Sequence, residues 1–336
     1  MRTTTFMIFD QVLRGLKRNN ETYGVLQGRL STGKRILSPS DDPAGALRAA
    51  DYRVEIAGND QFLRNVDAAS LRLRLSDTAL SAVAETLTDI RTLIAQGVSG
   101  SQDPAIRSGY STEAAQFRDT LYGLSNSRDE NRYLFSGYRT DQQPYSGSPS
   151  YLYQGDNGVM NVLIGQNEAV AVNVTGSEVF SYALYAPEVR QLSGGRYAHY
   201  TPGAGTAVTV EIRDTDDVTV LQSFSFSNVM QMTDLLAGAL GSGDTLRIEA
   251  LMDPFNKVST QVLVSQAEIG ARLSRIETQT ASLRADTVAL KNGLSSVEDA
   301  DPLETAAALS KAEATLQALR ESASRVISQS LFDFLD

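Results

Sequence analysis

The chain has 336 residues, of which 42% are hydrophobic and 21% charged, and its formal net charge is −10. That length suggests about two domains, and no run approaches the roughly 18 apolar residues of a membrane helix. With no Cys and a single His, His199, the sequence excludes disulfides, thiolate metal sites and Cys nucleophiles, and it leaves little room for a Ser–His dyad. We therefore expect no catalytic, cofactor-binding or metal-binding residues, and the composition weighs against an enzyme.

The two ends of the chain carry opposite charge. Residues 1–36 contain seven Lys and Arg against two Asp and Glu, whereas residues 299–336 contain three against seven. The basic end lacks the compact Lys/Arg cluster and interleaved aromatic residues typical of nucleic-acid binding. Pairing of the two ends is the simpler interpretation, because opposite charges on facing helices favour association. The first six residues lack an apolar signal core, so we also expect no cleaved signal peptide.

Proline positions predict where helices begin. Four of the nine prolines follow an Asp, at Pro43, Pro104, Pro254 and Pro302. An Asp N-cap accepts unpaired amide hydrogens, and Pro at the first helical position lacks only an N–H that would have no partner. The sequence thus predicts helices that begin near these four prolines, and a fifth helix at the N-terminus.

Apolar residues recur at seven-residue and related helical spacing within these segments. The repeats are Phe9, Leu16, Tyr23 and Leu30; Val66, Leu73, Leu80, Leu87 and Ile94; Ile106, Tyr110, Phe117, Leu121 and Leu124; Phe255, Val262, Ile269, Ile276, Leu283, Leu290 and Val297; and Leu309, Leu316 and Ala323. Such spacing, sustained over several heptads, is typical of coiled-coil packing. A helix over 44–96 would be about 80 Å long at 1.5 Å per residue.

The middle of the chain has a different pattern. Alternating apolar and polar residues on both sides of the turn Asp214–Asp217 predict a β-hairpin over 206–226. Shorter strands are predicted at Val159–Ile164 and Ala169–Val174. A helix is predicted over Asn228–Leu240, ended by the glycines that follow it.

Together these elements predict a mainly α protein with an inserted β-rich domain, in which both chain termini build a long antiparallel coiled-coil helical rod. We divide the chain into three parts. They are a terminal coiled-coil domain of 1–40 plus 300–336, a helical rod domain of 41–140 plus 251–299, and a β-rich outer domain of 141–250.

The terminal helices are predicted to be mobile in the isolated monomer. Ordering the 34 residues 303–336 costs about 1–2 kcal/mol of conformational entropy each, or roughly 35–70 kcal/mol in total. Burial of the apolar seam in this segment recovers only about 10 kcal/mol. We therefore expect these helices to become ordered against neighbouring subunits, although the apolar cluster Leu331–Leu335 has a local contact on its own chain as an alternative. The predicted subunit interface comprises Phe9, Leu16, Tyr23, Leu30, Leu309, Leu316, Leu319, Val326, Leu331, Phe332, Phe334 and Leu335.

Several motifs resemble one protein family. The segment from Leu30 to Gly45 resembles the N-terminal motif shared by flagellins and flagellar hook-associated proteins. Its Ser38–Pro43 stretch resembles the hook-associated version of that motif. Residues 131–140, followed by Pro144–Tyr145, and residues 328–335 are similar to the hook-associated members found at the junction between hook and filament. Glu268–Leu273 and Glu298–Asp301 resemble the C-terminal helical half of those members. The resemblance covers roughly 1–145 and 253–336 and leaves the β-rich insert unmatched.

The resemblance implies a flagellin-like fold and the role of a structural adaptor of the bacterial flagellum. Such a protein joins the hook to the filament as a ring, assembled through its terminal helices. The implied partners are the hook-side junction protein FlgK, flagellin, the export chaperone FlgN and copies of the chain itself, with no nucleic acid, no membrane insertion and no cofactor. The resemblance also implies that the predicted subunit interface serves as the chaperone interface before assembly. The implied location is extracellular, on the flagellum, after type III export without a cleaved signal.

Two alternatives remain open. Flagellin itself is the nearest one, and filaments formed by the purified protein alone would favour it. An enzyme is the other, with Asp41–Asp42 or Asp214–Asp217 as a carboxylate or Ca²⁺ site, but neither segment has the 12-residue calcium spacing with its closing Glu. His199 is predicted to be an ordinary loop side chain. A lectin-like or adhesive role of the insert has no support from particular residues.

Overall fold

The computed structural model describes the backbone of residues 5–99, 103–182 and 184–335, and the side chains of 7, 10–99, 103–182 and 184–324. The helices are α1 (Thr5–Thr32), α2 (Pro43–Ser99), α3 (Pro104–Ser125), α4 (Gly176–Phe180), α5 (Val229–Ser242), α6 (Thr245–Glu298) and α7 (Pro302–Leu335). The strands are β1 (Arg128–Asp129), β2 (Arg132–Tyr133), β3 (Asn161–Gly165), β4 (Glu168–Ala171), β5 (Glu188–Gln191), β6 (Tyr197–Pro202), β7 (Val208–Arg213) and β8 (Val220–Phe226), with a 3₁₀ turn at Ser193–Gly195. The predicted class, mainly α with an inserted antiparallel β region, is confirmed.

Three of the predicted helix starts are confirmed, and each has the expected carboxylate. Asp103 accepts a hydrogen bond from the amide of Ala105 at 2.9 Å. Asp42 accepts one from Gly45 at 2.9 Å, and Asp301 accepts one from Leu303 at 2.8 Å. These contacts satisfy first-turn amides that have no partner within the helix.

The predicted start at Pro254 is wrong, because α6 begins nine residues earlier at Thr245 and contains Pro254. The carboxylate of Asp244 accepts a hydrogen bond from the amide of Arg247 at 3.2 Å and so supplies the N-terminal contact. Pro254 has no N–H to offer the carbonyl of Ala250 one turn earlier. That carbonyl instead accepts a hydrogen bond from the hydroxyl of Tyr200 at 2.7 Å, which lets the helix continue through the proline.

The chain forms two compact units, and the first comprises Met1–Gln61 and Ser282–Asp336. Within it α1 packs against α7. The beginning of α2 and the end of α6 run antiparallel, as shown by the contact of Asn59 with Thr287 at 3.5 Å and that of Arg53 with Glu298 at 2.5 Å. The predicted pairing of the chain ends is present in this unit.

The second unit comprises Phe62–Ala281. Its α2 and α6 segments are antiparallel, with Ser81 accepting a hydrogen bond from Gln266 at 3.0 Å. The predicted seams form its core, with fully or almost fully buried Val66, Leu73, Leu80, Leu87, Ile94, Phe255, Val262, Ile269 and Ile276. Helices α3 and α5 also pack together, and Arg118 of α3 contacts Asp234 of α5 at 2.6 Å. Ile106 departs from its predicted seam, since 45% of it is exposed.

The β region of the second unit contains a four-stranded antiparallel sheet in the order β5-β6-β7-β8. The hairpin predicted over 206–226 is present as β7 and β8, and the two shorter predicted strands are present as the β3–β4 pair. Val208, Val210 and Ile212 point into the core, and their polar neighbours alternate with them on the other face. The predicted helix after the hairpin is α5, which Asn228 caps through the amide of Gln231 at 3.0 Å.

Strands β5 and β6 were not predicted, and they correct the placement of one residue. His199 lies in β6 rather than in a loop, opposite Glu211 of β7. Gly194 and Gly195 lie shortly before this strand and are typical of a loop, and its buried residues alternate between aromatic and small rather than being aliphatic. The three-part domain division stays a prediction.

Candidate assembly interface

The terminal helices α1 and α7 lie side by side in the first unit. The side-chain amide of Asn19 donates a hydrogen bond to the carbonyl oxygen of Ala312 at 3.0 Å. A Cβ on Gly15 would lie 4.0 Å from Cδ2 of Leu319. Since the contact moves toward the C-terminus of α7 as it moves toward the N-terminus of α1, the two helices are antiparallel.

The structure places the predicted interface residues at different depths. Leu316 is buried, with 6% exposed, so it is covered by its own chain. Leu30 remains 42% exposed. Leu16, Tyr23, Leu309 and Leu319 are half-buried. The side chains of Phe9, Val326, Leu331, Phe332, Phe334 and Leu335 lie outside the described residues.

The connector after α1 pairs with the connector before α7. Gly33 ends α1 with φ +71°, in the left-handed region, and its amide donates to the carbonyl of Arg29 at 2.9 Å. Its own carbonyl accepts from the amide of Ala300 at 2.9 Å. The amide of Arg35 donates to the carbonyl of Glu298 at 2.7 Å, so backbone bonds join both connectors.

Glu298 is the charged centre of these connectors. Its side chain is 5% exposed and accepts from Nζ of Lys34 at 2.6 Å and from Nη2 of Arg53 at 2.5 Å. Both cations are about half exposed, so one buried carboxylate holds two basic side chains in place. We call Lys34, Arg53 and Glu298 the Glu298 cluster. Sequence reasoning marked Lys34 and Glu298 as parts of two separate motifs but did not pair them.

Asp41 and Asp42 have structural contacts that account for both carboxylates. The amides of Ser38 and Leu37 donate to Asp41 at 2.9 and 3.0 Å, and they lower the pKa of that carboxyl. The amide of Gly45, followed by the guanidinium of Arg35, lowers the pKa of Asp42. Both groups therefore stay ionised and fix the turn into α2, as helix-capping carboxylates do.

A cleft of about 440 Å³ lies beside the Glu298 cluster, and residues of the connector and of α2 form its walls. Close to it, α2 exposes Leu47 (68%) and Val54 (71%). These two residues are seven positions apart and so lie on one helix face. Leu303 at the start of α7 is 83% exposed. The first unit thus has large apolar side chains that its own described residues leave uncovered.

The Asp-rich turn of the insert is also explained by local contacts. The hydroxyl and the amide of Thr219, and then the amide of Val218, lower the pKa of Asp216 to about 2. Nε2 of His199 lies 2.5 Å from Oδ1 of Asp217. Among the described residues, no group of three or more His, Asp or Glu side chains could hold a metal ion. No helix in the same part of the chain combines the length and apolar character needed to cross a membrane.

The terminal helices pair within the first unit, and the β region lies between them in the sequence. Residues 4–140 match the family model described as the bacterial flagellin N-terminal helical region, and residues 252–335 match the one described as the C-terminal helical region. The chain therefore belongs to the flagellin family.

Curated relatives include both hook-associated proteins and flagellins. Flagellar hook-associated protein 3 of Salmonella typhimurium is 28% identical over 182 residues, which is 54% of this chain and 57% of that protein. The chain thus spans somewhat more than half the length of this relative. Flagellin of Listeria monocytogenes is 25% identical over 301 residues, 90% of this chain and 87% of that one.

Solved structures share the fold. The chain is similar to FlgL of Xanthomonas campestris, with a TM-score of 0.56 and 21% identity, over 71% of this chain and 98% of that one. It is also similar to the flagellar junction protein FlgL of Legionella pneumophila, with a TM-score of 0.55 and 20% identity, over 75% and 100%.

Proposed function

We propose that this chain is a structural adaptor of the bacterial flagellum that joins the hook to the flagellin filament. It contacts the junction protein FlgK on the hook side and flagellin on the filament side, and copies of it form a ring through their terminal helices. It performs no enzymatic reaction. The observation that carries the proposal is the similarity to flagellar hook-associated protein 3, and the packing of both chain ends against each other in one unit is consistent with it.

Exposed apolar side chains support assembly through that unit. Leu47, Val54 and Leu303 are each more than 65% exposed. Apolar groups of this size gain free energy when a neighbour removes them from water. A patch of such groups on a surface marks an interaction site.

Export and chaperone binding form the second part of the proposal. The protein leaves the cell through the flagellar type III apparatus, and the chaperone FlgN holds the C-terminal helix beforehand. The half-buried Leu309 and Leu319 lie on the seam that the chaperone would cover, next to the buried Leu316. An apolar helix face that is uncovered before assembly binds readily into a partner's groove.

Flagellin is the second candidate function, favoured by the 90% coverage of this chain in the match to the Listeria protein. The two functions differ in self-assembly, because a filament subunit polymerises without limit whereas a junction protein closes into a ring. Long filaments from the purified chain alone would establish flagellin and overturn the adaptor.

Deletion of residues 304–336 tests the adaptor function. We expect the second unit to stay folded by circular dichroism, while FlgN binding is lost and flagellin is released as monomer into the medium. A point variant with a matched control sharpens the test. Leu319→Asp places a charge on the half-buried seam, and Ala318→Asp places it on the exposed side of α7. Filament growth with the truncated chain, or equal behaviour of the two point variants, would contradict the proposal.

A further inference from the structure

Strand β8 forms one edge of the four-stranded sheet. It pairs with β7 on one side, and among the described residues no strand pairs with its other side. Alternate residues of an edge strand direct their N–H and C=O groups away from the sheet. These groups are a template for another strand.

The opposite edge, β5, is protected and β8 is not. Strand β5 has four residues, and two of them are charged and bound by α6. Glu188 contacts Lys257, and Arg190 lies 3.5 Å from Asp253. Strand β8 has seven residues and contains neither a charge nor a proline. Short length, charge and proline are the usual means of preventing edge pairing, so β8 lacks all three.

We propose that β8 pairs with β8 of a second copy of this chain, so that two sheets join into one antiparallel sheet across a twofold axis. The register of β8 with β7 is unbroken from Gln222 to Phe226 and shifts only near Val220. The axis therefore lies at Phe224, the middle of the regular stretch. In that register Ser223 faces Ser225 of the second copy.

Self-pairing is favoured by what the register brings together. The facing residues carry no charge, so this register contains none of the like-charge pairs that destabilise sheets. Beyond the paired stretch, Val220 and Leu221, which are 47% and 42% exposed, approach the far end of the other β8. A cleft of about 380 Å³ lies at that end, between Phe226 and Leu235. Its other walls include the polar side chains of Gln231 and Asp234. The register thus brings the exposed apolar residues of each copy to the end of β8 where this cleft lies.

The pairing is weak and depends on conditions. Five paired residues with one apolar contact at each end bury less than the roughly 1,200 Å² of a standard interface. Residues 141–250 also carry four Lys and Arg against twelve Asp and Glu, so two copies repel each other. We expect association at high protein concentration, strengthened by salt, which screens that repulsion.

The twofold pairing is independent of the proposed ring. A twofold contact closes with two copies, whereas neighbours in a ring all point the same way. The pairing therefore joins free subunits or subunits of separate assemblies. Its failure would leave the adaptor function untouched, and the reverse also holds.

Cysteine cross-linking of the full-length chain tests the register, because the natural sequence has no Cys. Facing residues of an antiparallel pair have Cβ atoms about 4.5–5.5 Å apart, close enough for a disulfide after a small adjustment. Mixed Ser223→Cys and Ser225→Cys chains should cross-link several-fold more than a mixture of Ser223→Cys with Thr201→Cys. Thr201 is equally exposed on the same face but lies in the inner strand β6.

Sedimentation of a charged variant gives the second measurement. The double variant Ser223→Lys, Ser225→Lys brings cations directly opposite each other, with Cβ atoms about 5 Å apart. That separation is shorter than the screening length of about 8–10 Å at 0.1–0.15 M salt, so the association of the unmodified chain at that salt should be lost. Thr201→Lys should retain that association. Cross-linking no greater than in the Thr201 mixture, or a monomer at every concentration and salt level, would overturn the proposal.

Discussion

The hydroxyl of Tyr200 donates a hydrogen bond of 2.7 Å to the carbonyl oxygen of Ala250. Ala250 precedes Pro254 by four residues in α6. Both residues are buried, with at most 1% exposed. Pro254 cannot supply the amide that this carbonyl would bind in an uninterrupted helix. The hydroxyl of Tyr200 in β6 therefore supplies the hydrogen bond that the Ala250 carbonyl cannot receive from Pro254. This contact joins β6 to α6.

A double-mutant cycle tests this compensation. Tyr200→Phe leaves the Ala250 carbonyl buried without a donor and should cost about 1–3 kcal/mol of unfolding free energy. In the Pro254→Ala background an amide is available at position 254, so the same Tyr200→Phe change should cost clearly less. Urea unfolding of the four chains measures the coupling, and Tyr185→Phe, at a side chain 94% exposed, is the control. Additive effects of the two changes would show that the Tyr200 hydroxyl does not compensate for the amide that Pro254 lacks.

The Glu298 cluster predicts a local stability effect. Glu298→Gln removes the charge but keeps the shape of the buried side chain, so it weakens the charged hydrogen bonds to Lys34 and Arg53. The expected loss is about 1–3 kcal/mol in urea unfolding. Glu277→Gln is the matched control, because Glu277 contacts Arg74 at 3.5 Å with both side chains more than 60% exposed. That control should stay within about 0.5 kcal/mol of the unmodified chain. Equal losses would contradict the role assigned to Glu298.

Gly24 inside α1 and Gly33 directly after it should respond to the same substitution with opposite changes in stability. A Cβ at Gly33 or at Gly24 would meet no atom within 4 Å, so sterics do not distinguish them. Gly33 has φ +71°, and Gly33→Ala should cost about 1–2 kcal/mol of backbone strain. Gly24 lies inside the helix, and Gly24→Ala should stabilise by about 0.5–1 kcal/mol. Thermal unfolding measures both, and a gain in stability at Gly33 would refute the left-handed cap.

Local sequence rules predicted most of the helical fold. The heptad seams contain the buried residues because a repeat of seven keeps one helix face toward its partner. The Asp-Pro rule succeeded where Pro is the first helical residue and failed at Pro254. There the decisive contact is the hydrogen bond from Tyr200 to Ala250, which are 50 positions apart. Strand β6 was missed because its buried residues, Ala198 and Tyr200, do not form an aliphatic alternation.

The candidate interface was predicted less completely. Opposite charge and heptad spacing predicted the α1–α7 pair, but neither could determine which seam residues their own chain covers, as it covers Leu316. The Glu298 cluster escaped prediction because Arg53 and Glu298 are 245 positions apart. Neither residue belongs to a pattern that indicates a partner at such a distance.

Asp42 predicts a dependence of stability on pH. The Gly45 amide and the Arg35 guanidinium lower its pKa in the folded state, so its contribution is present above the unfolded pKa of about 3.9. That contribution is lost as the pH falls through the lower folded pKa. Asp42→Asn removes the charge, so the variant should be less stable than the unmodified chain at pH 7. The two should converge as the pH falls below the folded pKa of Asp42. Urea midpoints across this range measure the difference, and a difference independent of pH would contradict the assignment.

The terminal helices should be the least protected part of the isolated chain. Apart from Leu316 and its neighbours, much of the α1–α7 surface is half-buried or exposed, so local opening of this pair costs little. Amides of Thr5–Thr32 and Pro302–Leu335 should therefore exchange hydrogen faster in a dilute monomer than those of α2 around Leu80, which is fully buried. Binding of the chaperone, or assembly with other copies, should slow this exchange, because either one covers the exposed helix faces. Hydrogen exchange read by mass spectrometry measures each segment, with the core of the second unit as the internal reference. Slow exchange throughout both terminal helices of the solitary chain would show that they need no partner to become ordered.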